Sequence, residues 1–282
     1  MTSIIACIDG SIYSHSVTDH AAWAATRLSA SVELLQVLGR RETTSHDLSG
    51  NIAADAQATL LAELAALDAE RAKLIQKRGR LALEEAKTRL EAFGVADIAL
   101  TLRHGDLLDT LAEKEASADL IVIGKRGEAA DFAKGHLGSN LERVVRASHK
   151  PILVAARAFR PITKALIAFD GGTSALKAVD QLSRSPLLSG VALCLVTVGA
   201  DQSEARRKLE DAAAQLMASG HQAEIRFVPG QPDRAIATLV EHEGFDLLVM
   251  GAYGHSRIRS LVIGSTTTEL IRTCKVPVLL YR

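Results

Sequence analysis

Long apolar runs are missing from this 282-residue chain. The longest are strand-sized, about 5–8 residues, where a bilayer span needs about 20, so no membrane-spanning helix is expected. Net charge is missing too: 33 acidic residues offset 33 basic ones. No overall field therefore draws the chain to nucleic acid or to an anionic membrane. Aromatic residues make up 4% of the chain, too few for a base-stacking platform. Cysteine is scarce, and Cys7, Cys194 and Cys274 stand far apart in apolar surroundings. That pattern predicts buried thiols in a reducing compartment rather than disulfides or a metal centre. "MTSIIACIDG" has no basic leader and already reads as a strand, so a cytoplasmic location is expected. Three motifs are absent as well: the GxxxxGK[ST] phosphate loop, a GxGxxG after the first strand of either half, and the GxSxG nucleophile turn. Their absence argues against a P-loop NTPase, a dinucleotide-dependent oxidoreductase and an α/β-hydrolase.

What is present is a duplication. "SIIACIDGS" from Ser3 parallels "KALIAFDGG" from Lys164, "SVELLQV" parallels "VALCLVTV", and "HKPILVA" parallels "KVPVLLY". Each half alternates short β-rich runs with helical patterns. Strands are expected near 3–8, 32–37, 97–103, 119–123 and 151–155, then near 163–169, 191–198, 223–228, 245–250 and 277–281. Runs such as "LIVIG" and "LLVMG" are apolar throughout, as central parallel strands covered on both faces must be. The expected fold is α/β: two tandem doubly wound domains, each with a five-stranded parallel sheet. The boundaries fall at 1–157 and 162–282, with Pro161 in the junction "ARAFRPIT". The last strands of the two halves are expected to pair with each other, since bare edges invite pairing.

The halves differ by an insertion in the first, about residues 39–93, rich in Ala, Leu, Glu, Lys and Arg. Leu60, Leu64, Leu67, Leu74 and Leu81 form a heptad-like stripe that Arg71 and Arg78 interrupt. The pattern predicts a helix over 54–78, a bend or break near Gly79, and a second helical stretch to about Phe93. Its leucine side is expected to face either its own domain or a second copy; the sequence leaves both open.

The chemistry concentrates in two glycine loops. "GAYGHSRIRSLVIGST" from Gly251 follows one apolar run, and "GKRGEAADFAKGHLGSN" from Gly124 follows its counterpart. In an open α/β sheet, ligands bind beyond the carboxyl ends of strands where successive connections diverge. If the first strand of each half lies beside the fourth, the loops after Asp9 and Gly124, and after Asp170 and Gly251, meet at that crevice. Glycines there permit close backbone approach and an anion-binding nest of N–H groups. Gly264, Ser265 and Thr266 would open a helix whose free N–H groups suit a phosphate, although Ser265 reads equally well as a plain N-cap.

The Gly-x2-Gly-x9-Gly-Ser spacing, with an Asp ending the first strand, resembles the universal stress protein family in its tandem-domain form. The resemblance spans nearly the whole chain apart from the insertion. It implies an adenine nucleotide alpha hydrolase-like fold and a nucleotide site, with ATP, accompanied by Mg, as the ligand. By resemblance, Asp170 would hold the ribose or adenine side and Val198 would meet adenine through its backbone. Gly251 and Gly254 would line ribose and phosphates, while Gly264, Ser265 and Thr266 would take the phosphates. The corresponding first-half residues are Asp9, Val37, Gly124, Gly127, Gly138, Ser139 and Asn140. The first half departs from the pattern: ten residues separate Gly127 from Gly138, and Glu128 and Asp131 lie in its loop. The second-half loop carries Arg257 and Arg259 with no acid, so it is expected to bind more tightly.

The implied role is a nucleotide-dependent stress-response sensor or regulator, no enzyme or at most a slow ATPase, because no loop residue is an evident base for water. A nucleotide-independent scaffold with a protein partner is the rival reading. "DGGTS" at 170–174 also resembles the SGGxDS loop of ATP pyrophosphatases, but its second Asp is missing. An intramolecular pseudo-dimer is expected, with a homodimer open; nucleic acid, membrane and metal-ligand roles are not. His15 and His20 are five residues apart, the wrong helical spacing for a metal pair.

Overall fold

The computed structural model describes residues 2–39, 54–126, 138–200, 202–252 and 265–282. The first half runs β1 (Ser3–Cys7), α1 (Ser14–Leu28), β2 (Ser31–Leu38), α2 (Ala54–Ala92), β3 (Ile98–His104), α3 (Leu107–Lys114), β4 (Leu120–Gly124), α4 (Ser139–Ala147) and β5 (Ile152–Ala155). The second repeats the plan as β6 (Lys164–Ala168), α5 (Thr173–Arg184), β7 (Ala192–Val198), α6 (Ser203–Ala218), β8 (Ala223–Val228), α7 (Pro232–His242), β9 (Leu247–Gly251), α8 (Ser265–Thr273) and β10 (Val278–Tyr281).

All ten strands join in one sheet of order β3-β2-β1-β4-β5-β10-β9-β6-β7-β8. Within each half every pairing is parallel. The exception joins the halves: β5 and β10 run antiparallel, with Leu153 opposite Leu279. The expected pairing of the two last strands is therefore present, and it removes two sheet edges that would otherwise stand open.

The pleat sorts side chains onto two faces. Ile4, Ala6 and Ile8 enter one core with Leu34, Val122, Leu153 and, across the junction, Leu279. Ile5, Cys7, Leu35, Ile121 and Val154 enter the other with Leu248, Val278 and Leu280. Each core thus runs through both halves without a break. A fully buried Leu or Ile contributes about 1.5–3 kcal/mol, so the centre of the molecule resists separation of the halves. The three cysteines are free and buried. Among the described residues no helix is long and apolar enough to cross a membrane.

The insertion departs from expectation. α2 is one uninterrupted helix of 39 residues, with no break at Gly79. At about 1.5 Å per residue it is about 58 Å long. Gly79 is buried in mid-helix where α2 crosses the sheet. A Cβ there would sit 3.0 Å from Leu102 Cδ1 and 3.4 Å from Gln36. The glycine is thus explained by close approach to β2 and β3, not by a bend. From Gly79 onward, Leu83, Ala86 and Leu90 pack into the core as an ordinary crossover helix. The leucine stripe does not face its own domain: Leu60, Leu67, Leu74 and Leu81 are exposed.

Candidate functional site

Two crevices open at the carboxyl edge of the sheet. β1 lies beside β4 and β6 beside β9, so connections diverge on either side of each pair, as required of a switch point. Asp9 and Asp170 stand two residues past the ends of β1 and β6. Each is followed by a glycine in the left-handed region, Gly10 at φ 72° and Gly171 at φ 70°. Only glycine enters that region without strain, and it turns the chain so that the Asp carboxylate caps the next turn. Asp9 Oδ1 accepts from Ser11 N at 2.9 Å and from Ser14 Oγ at 3.3 Å. Asp170 Oδ1 accepts from Gly172 N at 2.8 Å.

The two sites differ in what covers them. Asp170 is exposed, whereas Asp9 is half-buried. Beside Asp170 lies a cleft of about 130 Å³ lined by Phe169, Thr197, Gln202, Glu204 and Lys208. Thr197 Oγ1 donates to Phe169 O at 2.8 Å and fixes the floor. Val37 and Val198 stand half-buried at the ends of β2 and β7, one strand away from the Asp in each half.

Gly124 and Gly251 end β4 and β9, and neither takes a left-handed φ. Their glycine identity has a packing cause. A Cβ at Gly251 would lie 2.8 Å from Ser174 Cβ, and one at Gly124 would lie 2.9 Å from Tyr13 Cβ. Both glycines let a strand end abut the start of the helix that leaves the neighbouring strand, α1 beside β4 and α5 beside β9. Gly138 is the N-cap of α4, with no side-chain cap, and its N–H bonds back to Lys125 O at 3.2 Å. Ser139 and Asn140 open α4, with Asn140 exposed; Ser265 and Thr266 open α8. The neighbouring Thr267 is buried against Ala252 O. Gly127, Gly254 and Gly264 lie outside the described residues, as do Glu128, Asp131, Arg257 and Arg259.

Two features carried no motif. Arg78 of α2 reaches Gly10 O at 3.4 Å, and Lys208 of α6 lies 3.3 Å from where a Gly171 Cβ would be. In the first half the insertion thus places a cation over the Asp-Gly turn, whereas the Lys208 ammonium pairs with Glu204 at 2.7 Å. Lys125 also behaves unlike a loop cation. It is buried and donates to Cys274 O and to Val276 O at 3.1 Å, so it ties the first half to the second. Burial pulls its ammonium down to about 8. His15 donates to Glu85 at 2.8 Å and His20 is buried against Ser16, so the two do not form a metal pair. Among the described residues no group of His, Cys, Asp or Glu side chains could hold a metal ion.

Fold and crevices together define a tandem α/β protein with a paired switch-point site, one copy in each half. Comparison with known proteins places it. The universal stress protein family model matches residues 1–156 and 161–282. The universal stress protein Slr1230 of Synechocystis sp. is 39% identical over 287 residues, covering 100% of both chains. The universal stress protein Rv1996 of Mycobacterium tuberculosis is 25% identical over 99% of this chain and 94% of its own. Among solved structures, a universal stress protein from Archaeoglobus fulgidus superposes with a TM-score of 0.72 at 19% identity, covering 99% of this chain and 98% of that one. The chain belongs to the universal stress protein family, in its tandem two-domain form.

Proposed function

We propose that this chain is an adenine-nucleotide-binding regulator that takes ATP in the crevice of its second half more tightly than in its first. The observation that carries this is the contrast between the two aspartates. Among the described residues, Asp170 is exposed beside a cleft and accepts one backbone N–H, which leaves its second oxygen for a ribose hydroxyl. Asp9 is half-buried, accepts from two serines, and lies under Arg78. Lys125, the first cation of the first-half loop, is turned to the interior and held by carbonyls of the other half. It adds little attraction for phosphate.

The residues present fit a nucleotide. Asp170 would orient the ribose and the Val198 backbone would meet adenine. Gly251, Gly254, Gly264, Ser265 and Thr266 would form the phosphate cradle, with the α8 N-terminus facing negative charge. Asp9, Val37, Gly124, Gly127, Gly138, Ser139 and Asn140 would form the weaker counterpart. Mg²⁺ would enter on the phosphates, which supply most of its oxygen ligands. Binding shifts conformation or partner choice; the chain has no catalytic role beyond slow hydrolysis. The buried free thiols suit a reducing cytoplasm. A second reading, a scaffold that works without nucleotide, draws support from the exposed leucines of α2.

The test is an ATP titration of the full chain and of Gly254→Val and Gly127→Val separately. The branched side chain should block close backbone approach. Gly254→Val is expected to lose the tighter binding step and Gly127→Val to keep it. The reverse order would overturn the ranking, and no binding in the unsubstituted chain would leave the scaffold reading.

A further inference from the structure

We propose that the projecting half of α2 is a self-association surface, through which two copies of this chain pair their long helices antiparallel. The first observation is where the apolar side chains point. Gly79 meets the sheet, and positions five before it and two after it fall on the opposite side of a 3.6-residue helix. Those positions are Leu74 and Leu81, each 61% exposed. Leu67 and Leu60 continue the stripe at the same seven-residue spacing, and Ile75 flanks it. Gln76 bonds His104, the last residue of β3, so everything before it continues past the carboxyl edge of the sheet.

The second observation is charge. Residues 55–70 carry Asp55, Glu63, Asp68 and Glu70 and no Lys or Arg, while residues 71–80 carry Arg71, Lys73, Lys77, Arg78 and Arg80 and no acid. Among the described residues, Glu63, Asp68, Glu70, Arg71, Lys73 and Lys77 form no ion pair. Past Gly79 the same helix pairs Lys87 with Glu91 and Arg89 with Asp19, and Glu85 accepts from His15.

The third observation identifies the occupant. The pattern is symmetric about the Glu70–Arg71 bond. Leu67 and Leu74 are equidistant from it, as are Leu60 and Leu81, and Asp68 and Lys73. A two-fold axis through that point sets Asp68 and Glu70 beside Lys73 and Arg71 of the second copy, and Leu60 and Leu67 beside its Leu81 and Leu74. A self-complementary patch of this kind is what an isologous contact requires. Parallel pairing would set acid on acid and base on base, at a cost. A foreign partner would have no need of the symmetry. Arg71, which interrupts the leucine stripe, falls at the axis, where Glu70 of the second copy meets it.

Sedimentation velocity of the full chain across the micromolar range tests this. The chain is expected to be dimeric. Asp68→Lys/Glu70→Lys and Arg71→Glu/Lys73→Glu should each weaken dimerisation at least tenfold. An equimolar mixture of the two variants should dimerise again, a rescue that misfolded variants would not give. Leu60→Cys/Leu81→Cys should cross-link two copies under mild oxidation, while Leu81→Cys alone should not. A monomeric unsubstituted chain, a dimer that survives either charge reversal, or cross-linking by Leu81→Cys alone would overturn the proposal.

Discussion

At the residue scale, glycines at the strand ends separate packing from ligand approach. Gly251→Ala places a Cβ 2.8 Å from Ser174 Cβ and 3.2 Å from Ala175 N. Backbone must move, so the substitution should destabilise the chain by about 1–3 kcal/mol in denaturant unfolding. Gly39→Ala meets nothing within 4 Å and should stay within about 0.5 kcal/mol; equal effects would refute the packing account. Lys125 gives a pH test. Its folded pKa, about 8, lies below the ordinary value of 10.5 because burial disfavours the charge. Between those values the unfolded chain binds more protons, so this group makes stability rise with pH. Relative to Lys125→Met, the unsubstituted chain should gain on the order of 3 kcal/mol from pH 7 to pH 10.5. A flat or falling difference contradicts it. The sequence marked Gly124 and Gly251 through their repetition, but their neighbours Tyr13 and Ser174 become visible only when β4 meets α1 and β9 meets α5. Nor could spacing show that Lys125 bonds carbonyls about 150 residues away.

Elements were legible where period and composition agree. The strand runs and the helix opening at Ser265 follow from apolar patterning and loop glycines. The break expected at Gly79 did not occur, because one helix-weakening residue costs only about 1 kcal/mol and close packing on Leu102 offsets it. A Cβ there would press on Leu102 Cδ1 at 3.0 Å, so Gly79→Ala should leave the thermal midpoint unchanged or slightly lower despite the better helix propensity of alanine. Gly79→Leu should lower the midpoint, since the extra carbons have nowhere to go. Stabilisation by leucine would show that α2 does not pack there. Asp106 caps α3, accepting from Leu108 N at 2.8 Å, and binds Arg143 at 2.8 and 3.0 Å. Asp106→Ala should cost about 1 kcal/mol at neutral pH. Arg143 and the helix N–H groups hold this carboxyl below its usual range, so its contribution is present above the ordinary carboxylate pKa. It is lost as pH falls through the lowered one, and the cost of Asp106→Ala should vanish there. A cost that persists in acid would rule out the charged cap.

On the scale of the whole molecule, β5 and β10 make the two halves one sheet with two continuous cores. Trp23, the only tryptophan, reports on the first half, yet Leu279→Ala in β10 should lower its unfolding midpoint together with the far-ultraviolet signal. A buried leucine truncation costs about 2–5 kcal/mol; two separate transitions would mean the halves fold independently. The duplication made this architecture legible, since each last strand would otherwise leave a bare edge. The difference between the crevices was legible only in part, because Arg78 arrives from the insertion and carries no motif. On the proposed function, the second crevice is the one that takes the nucleotide. Native mass spectrometry of the full chain with ATP, beside Asp170→Ala and Asp9→Ala, tests it most directly. The account predicts that the first ATP to bind is retained in Asp9→Ala and lost in Asp170→Ala; loss in Asp9→Ala alone, or no ATP on the unsubstituted chain, would contradict it.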